Sequence, residues 1–387
     1  MKKDKLLMTP GPTMIPPTVL AKLGNQIIHH RTKEFCAILS EFNQNLKYVF
    51  QTNNHVITLA SSGTGGMESA IANLFSAGDK VIVASIGNFG DRFAKIAEAF
   101  GLEVDKISVE WGKAVEPTEI ESKLEQDKEG RIKAVIVTHN ETSTGVSNDI
   151  EAIAKIVSKT NKLFIVDAIS SVGGLDIQTD NWGIDVVIGS SQKALMTPPG
   201  LAFVSISDKA WEAHKSSKLP KFYWNYSAYK KALELDPPDM PYTPAVSLII
   251  AQNEALKLIK DEGLENVFNR HKGLALAAQA GVEALGMELL PDKSVSSYII
   301  TAIKAPEGID IESVRKIMNT KYDIMVTGGQ QHLKGKILRI GHCGFVDGFD
   351  LIKAFTALEY ALKECGYFFE LGRGVSAVER AIADSDK

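Results

Sequence analysis

Val186-Val187-Ile188-Gly189-Ser190-Ser191-Gln192-Lys193-Ala194-Leu195-Met196-Thr197-Pro198-Pro199-Gly200 sets an apolar run against a lysine and a turn-forming Pro-Pro-Gly. The run 186–188 reads as a buried strand, so Lys193 stands between that strand and a tight loop. Lysine is rarely fully buried, and the ordinary reading is a solvated surface charge. In a dry pocket beside other cations its pKa falls, and the amine becomes a nucleophile or a base. Two upstream features favour the second reading: Asp167 at the end of another apolar strand, and a glycine-rich turn at 61–66.

Outward from this stretch, short apolar strands alternate with amphipathic helices. Strands are predicted at 56–59, 81–83, 135–137, 163–166 and 186–188. Phe93, Ile96, Ala97 and Phe100 form one helical stripe, and Ile150, Ile153, Ala154 and Val157 another. Strands that are apolar throughout predict an α/β fold with a mostly parallel central sheet and helices on both faces. Ligands of such sheets bind at the carboxyl ends of the strands, where the polar clusters of this chain fall.

The flanks differ. Residues 9–17 are proline-rich and predict an extended arm. Residues 216–244, rich in Lys, Tyr and Pro, predict a long irregular excursion of functional or interfacial use. A helix at about 246–260 ends the large domain; a strand at 297–303, helices near 310–320 and 349–364, and the strand 337–340 predict a small α+β domain. The expected division is an arm at 1–20, a large domain at 21–260 and a small domain at 261–387, with a loosely held polar tail from about 370.

A chain of 387 residues has room for about two domains. Its net charge of −4 gives no support for nucleic-acid or membrane-surface binding, and neither partner is expected. No apolar run approaches the ~20 residues of a membrane span. Cys36, Cys343 and Cys365 are too few and too scattered for a disulfide framework or a zinc site, so a reducing cytoplasm and no metal are expected. Leu6-Leu7-Met8 before Pro10 is too short for a signal peptide, and Asp384-Ser385-Asp386-Lys387 is no recognised targeting signal.

Several residues carry candidate chemistry. Ser61-Ser62-Gly63-Thr64-Gly65-Gly66 opens a helix after a strand; it reads as a phosphate cradle or as a plain glycine turn. It is neither a Walker loop nor a dinucleotide fingerprint. Asp167 reads as the partner of a protonated ring nitrogen or as a capping residue. Asp185 precedes its strand and so stands at the other end. Phe89 reads as a stacking ring or a core residue, and Thr142 as a donor to a ring oxygen or phosphate. Arg339, between Leu338 and Ile340, reads as a carboxylate clamp or a structural ion pair.

Pro10-Gly11-Pro12, Ser62-Gly63-Thr64-Gly65, Asn140-Glu141-Thr142-Ser143-Thr144-Gly145, Val166-Asp167-Ala168, the lysine stretch and Leu338-Arg339-Ile340-Gly341 together resemble the class V pyridoxal-phosphate-dependent aminotransferases. Within these the chain is most similar to the alanine–glyoxylate/serine–pyruvate group, over residues ~6 to ~365 in the family's order. The resemblance implies the fold-type I architecture and a homodimer with pyridoxal 5'-phosphate at the subunit interface. It implies Lys193 as the covalent attachment point and Asp167 at the ring nitrogen, with Phe89 stacked on the ring. Ser62, Gly63, Thr64 and Gln192 would hold the phosphate, Tyr242-Thr243 would reach the neighbouring subunit's phosphate, and Arg339 would grip the substrate carboxylate.

The implied reaction is amino transfer between alanine or serine and glyoxylate or pyruvate. The motif set contains no second obvious arginine, which points to monocarboxylate substrates. Alternatives are a 2-aminoethylphosphonate transaminase, a cysteine desulfurase-like enzyme or a non-catalytic subunit that binds a partner. Cys343 follows Arg339, whereas the desulfurase nucleophile precedes it, so Cys343 is expected to be a packed thiol.

Overall fold

A computed structural model describes residues 4–385; residues 1–3 and 386–387, the outer ends of the expected arm and small domain, lie outside it. A seven-stranded sheet runs through the large core in the order 55–60, 201–206, 186–190, 163–167, 132–138, 80–85, 103–108. All pairings are parallel except those of Leu201–Ile206, which is antiparallel to both neighbours. That strand follows Pro-Pro-Gly with no crossover helix, and a short connection can only return antiparallel.

The central strands Leu163–Asp167, Val186–Ser190 and Leu201–Ile206 are buried at every position, which explains their predominantly apolar sequence. Each fully buried aliphatic side chain there is worth about 1.5–3 kcal/mol. The edge strand Glu103–Ser108 escapes sequence reading because Ile107 is its one buried position and Glu103, Asp105, Lys106 and Ser108 break the apolar pattern.

A second core gathers around the three-stranded antiparallel sheet 300–304, 337–341, 327–328, with helices Leu264–Ala284, Ile311–Lys321, Gly348–Glu364 and Arg373–Ser385. Leu6–Leu7 pairs with Ile324–Met325, and Leu6 and Met8 are buried in this second core. The arm therefore starts inside the small-sheet region and crosses to the large one.

Two expectations need correction. The polar tail is a helix, Arg373–Ser385, packed on Leu264–Ala284 with Val378 fully buried. Its start is held by the buried carboxylate of Glu359, which accepts from the amides of Gly372 and Val375. The 216–244 excursion contains a helix, Tyr226–Leu233, capped by Asn225; buried Tyr226 and Tyr229 anchor it, while Phe222 is 80% exposed.

Candidate active site

The polar ends of five sheet strands meet at one edge, and the lysine loop lies among them. Ser191 Oγ donates to Pro198 O at 2.7 Å and accepts from Leu201 N at 3.2 Å, which closes the loop on itself. Ser190 Oγ donates to Gln192 Oε1 at 2.5 Å and orients that amide. Lys193 Nζ donates to Pro10 O at 2.8 Å, and Thr13 Oγ1 donates to Lys193 O at 2.9 Å, so the proline-rich arm lies directly on the lysine. Gly11 makes this possible: its φ is +124°, and a Cβ there would lie 2.4 Å from Lys193 Cδ. Burial lowers the Lys193 pKa, with Arg339 and Arg92 adding to it against Cys343 and Asp167.

Asp167 ends its strand 3% exposed. One oxygen accepts from Ile169 N at 3.0 Å, and no other hydrogen bond among the described residues reaches the carboxylate. Burial raises its pKa to about 7; Glu141 also raises it, against Ile169, Lys193 and Arg92. Phe89 is half-buried in the first turn of helix Asn88–Ala99. Its amide and that of Gly90 donate to Glu141 Oε2 at 2.8 and 3.1 Å.

Arg339 is 4% exposed on the strand Ile337–Gly341. Nε donates to Gly328 O at 2.9 Å and Nη1 to Thr142 O at 2.5 Å. No carboxylate among the described residues pairs with it, so the structural ion pair weighed above is not its role. Burial pulls its pKa down to about 10, opposed by Glu141, and it stays charged at neutral pH. With Nε and one N–H of Nη1 on carbonyls, the second N–H of Nη1 and both of Nη2 are the donors left over.

Ser62 precedes the helix Gly63–Leu74 and makes no side-chain capping bond, so the first amides of that helix keep free donors. Thr64 Oγ1 accepts from Arg92 Nη1 at 3.3 Å, and Arg92 lies 4.7 Å above the Phe89 ring. Tyr242 and Thr243 stand apart. Tyr242 donates to Phe222 O at 3.0 Å within an aromatic cluster with Tyr223 and Tyr229, and Thr243 is exposed. Neither is hydrogen-bonded to another of the expected site residues.

Arg92 and Glu141 were given no role by sequence reading. Arg92 lies three residues after Phe89 on one helix, a spacing that puts both on one face. It is a second arginine at the site, which the motif set did not contain. Glu141 was legible only as a carboxylate in a short turn after a buried strand. Cys343 is 1% exposed against Leu175, Ala194 and Ile299, and burial pushes its thiol up to about 11, the state of a packed and inert sulfur.

The donor set suits a phosphorylated cationic ring. An uncapped helix start would suit a phosphate's charge, a buried carboxylate has no cation hydrogen-bonded to it among the described residues, and a dry amine stands within electrostatic reach of that carboxylate. No helix among the described residues is long and apolar enough to cross a membrane, and no cluster of His, Cys, Asp and Glu there could hold a metal ion.

Similarity to known proteins runs along the whole chain. The soluble hydrogenase small subunit of Synechococcus sp. PCC 6716 is 46% identical over 385 residues, 99% of this chain and 100% of that one. The L-aspartate–glyoxylate aminotransferase of Paracoccus denitrificans is 35% identical, covering 98% of this chain and 96% of that one. The crystal structure of an alanine–glyoxylate aminotransferase from Nostoc superposes with a TM-score of 0.89 at 31% identity, over 94% of this chain and 96% of that one. The family model Aminotransferase class-V matches residues 6–342. With that match spanning both sheets, the lysine loop and Arg339, the chain belongs to the class-V aminotransferases.

Proposed function

We propose that the chain is a cytoplasmic homodimeric transaminase that uses pyridoxal 5'-phosphate to move an amino group between alanine or serine and glyoxylate or pyruvate. The observation that carries this reading is the convergence of Lys193, in the loop after the strand Val186–Ser190, Asp167, at the end of the strand Leu163–Asp167, and Arg339, from the small sheet, within electrostatic reach of one another. When bound, the cofactor supplies a carbonyl for amino-group attachment and an electron sink for the bonds of the α-carbon.

The chain's own residues divide the remaining work. The amides at Gly63 and Thr64, with the Ser62 and Thr64 hydroxyls and the Gln192 amide, would hold the phosphate. Asp167 would hold a proton on the ring nitrogen; that cation is what its raised pKa lacks. Phe89 would flank the ring. Lys193, its amine kept neutral more readily by burial, is the base that takes the α-proton and returns it. Arg339 Nη2 and the guanidinium plane would grip the α-carboxylate shared by amino acid and oxo acid. Thr142 Oγ1 would donate into the same space.

Tyr242, hydrogen-bonded to exposed Phe222, and exposed Thr243 make no hydrogen bond to Lys193 of their own chain, which supports a second subunit as their destination. The relatives' names share glyoxylate and differ in the donor. One observation favours a dicarboxylate donor such as aspartate. Arg92 is a half-buried guanidinium at the site with no carboxylate partner among the described residues. Steady-state kinetics with alanine, serine and aspartate against glyoxylate, pyruvate and 2-oxoglutarate test both readings. Faster turnover of alanine or serine supports the first; an aspartate preference lost in Arg92→Gln supports the second. No spectral change on adding pyridoxal phosphate would refute both.

A further inference from the structure

Glu141 is fully buried, and no lysine or arginine among the described residues pairs with it. Burial penalises a charge there and Asp167 lies close enough to repel it, while Arg339 attracts it without pairing with it. A helix start needs only a neutral acceptor, and Ser or Asn at Gly87 would cap Asn88–Ala99. Instead Gly87 makes no side-chain cap, and the carboxylate reaches in from a different loop.

That carboxylate holds two things at once. Oε2 accepts from the amides of Phe89 and Gly90, which fixes where the Phe89 ring points. Oε1 accepts from the amide and hydroxyl of Ser143 at 3.1 and 2.6 Å, which locks the turn 139–145. The carbonyl of Thr142 in that turn carries Arg339 Nη1. The two oxygens therefore join the aromatic wall of the site to the carboxylate grip. We propose that Glu141 is a positioning residue whose single rigid carboxylate sets both the pitch of Phe89 and the reach of Arg339 toward substrate. This rests on the reading of Phe89 and Arg339 under the proposed function.

Glu141→Gln is the direct test. Glutamine keeps the size but turns an NH2 group toward one pair of donors. In the cofactor-free protein, amide hydrogen exchange at Phe89 and Gly90 should accelerate at least about tenfold, the scale of losing a hydrogen bond to a charged group. In the loaded protein, the visible circular dichroism of the cofactor should weaken, and KM for amino acid and oxo acid should both rise about tenfold, with a smaller change in kcat.

Gly87→Ala is the second variant. Gly87 has an extended φ of 170°, so alanine is unstrained there, but its Cβ would lie 2.4 Å from Glu141 Cγ and 2.5 Å from Cδ. It displaces the carboxylate without changing its charge, and the same three readouts should move in the same direction. If Glu141→Gln does not fold, Gly87→Ala decides alone. Variants that load cofactor, keep wild-type dichroism, exchange and KM, and differ only in melting temperature overturn the inference. A wild-type chain that takes up no pyridoxal phosphate overturns the functional reading and this inference with it.

Discussion

Asp167 ends one strand of the large sheet and Asp185 immediately precedes the parallel strand beside it; both are nearly fully buried, and they are treated in opposite ways. Asp185, at the amino edge, accepts from Phe164 N at 2.9 Å, Ser207 Oγ at 2.8 Å and Lys209 Nζ at 3.1 Å. Asp167, at the carboxyl edge, accepts among the described residues only from Ile169 N. The first is a finished structural contact. The second is a buried carboxylate with no cation hydrogen-bonded to it among the described residues, a placement that costs stability and that a cationic ligand would relieve. Incomplete pairing, rather than burial, is what separates the candidate site's carboxylate from the structural one.

The sharpest break in this comparison is Lys193→Ala, which removes the amine within electrostatic reach of Asp167. Turnover should fall by about 10⁴-fold, the upper range for a lost general base. Borohydride reduction of the loaded wild type followed by peptide mapping should label Lys193; a label on another lysine would end the assignment. Asp167→Asn comes next. The phosphate contacts remain, so cofactor uptake should persist, while turnover falls about 10²–10³-fold as the electrostatic support at the ring is lost. Wild-type turnover in this variant would mean that the cation's partner lies elsewhere.

The cofactor-free chain offers a pH test of the same residue. The native pKa of Asp167, about 7, lies above its ordinary value of 3.8, so the folded state binds the extra proton between those values. Stability should therefore fall as pH rises from about 4 to about 7, by on the order of a few kcal/mol. Asp167→Asn, which cannot ionise, should flatten that slope in chemical denaturation curves. An equal slope in both proteins would show that Asp167 is already paired.

Arg339→Lys keeps the charge and loses the fork. KM for amino acid and oxo acid should rise together by about 10–100-fold, equivalent to ~1.5–3 kcal/mol, with the cofactor spectrum intact. The smallest effect on catalysis belongs to Asp185→Asn. It should lower stability by about 1–3 kcal/mol through its lost partners, and leave kcat within about twofold of wild type. A large kcat loss there would erase the distinction between the two edges.

Much of this site was legible because each residue lies in a locally recognisable setting. Lys193 follows an apolar strand, Asp167 ends one, and Ser62–Thr64 open a helix. Arg339 was visible as a cation flanked by apolar residues. Glu141 and Arg92 were not visible as site residues, because their roles come from contacts across loops: Glu141 reaches amides 51 and 52 residues away. The terminal helix was misread because its apolar contacts with Leu264–Ala284 lie on one narrow stripe of a polar segment.

The sequence by itself determined the α/β class, the parallel strands and the edge where chemistry gathers, since periodicity and apolar runs report local burial. Only the tertiary structure decided that the arm seals the lysine, through a hydrogen bond between Pro10 and Lys193, 183 residues apart. It likewise decided that Arg339 leans on Thr142, 197 residues away, instead of on an acid. Strand order and loop crossings set such contacts, and no local pattern encodes which distant carbonyl a buried cation will meet.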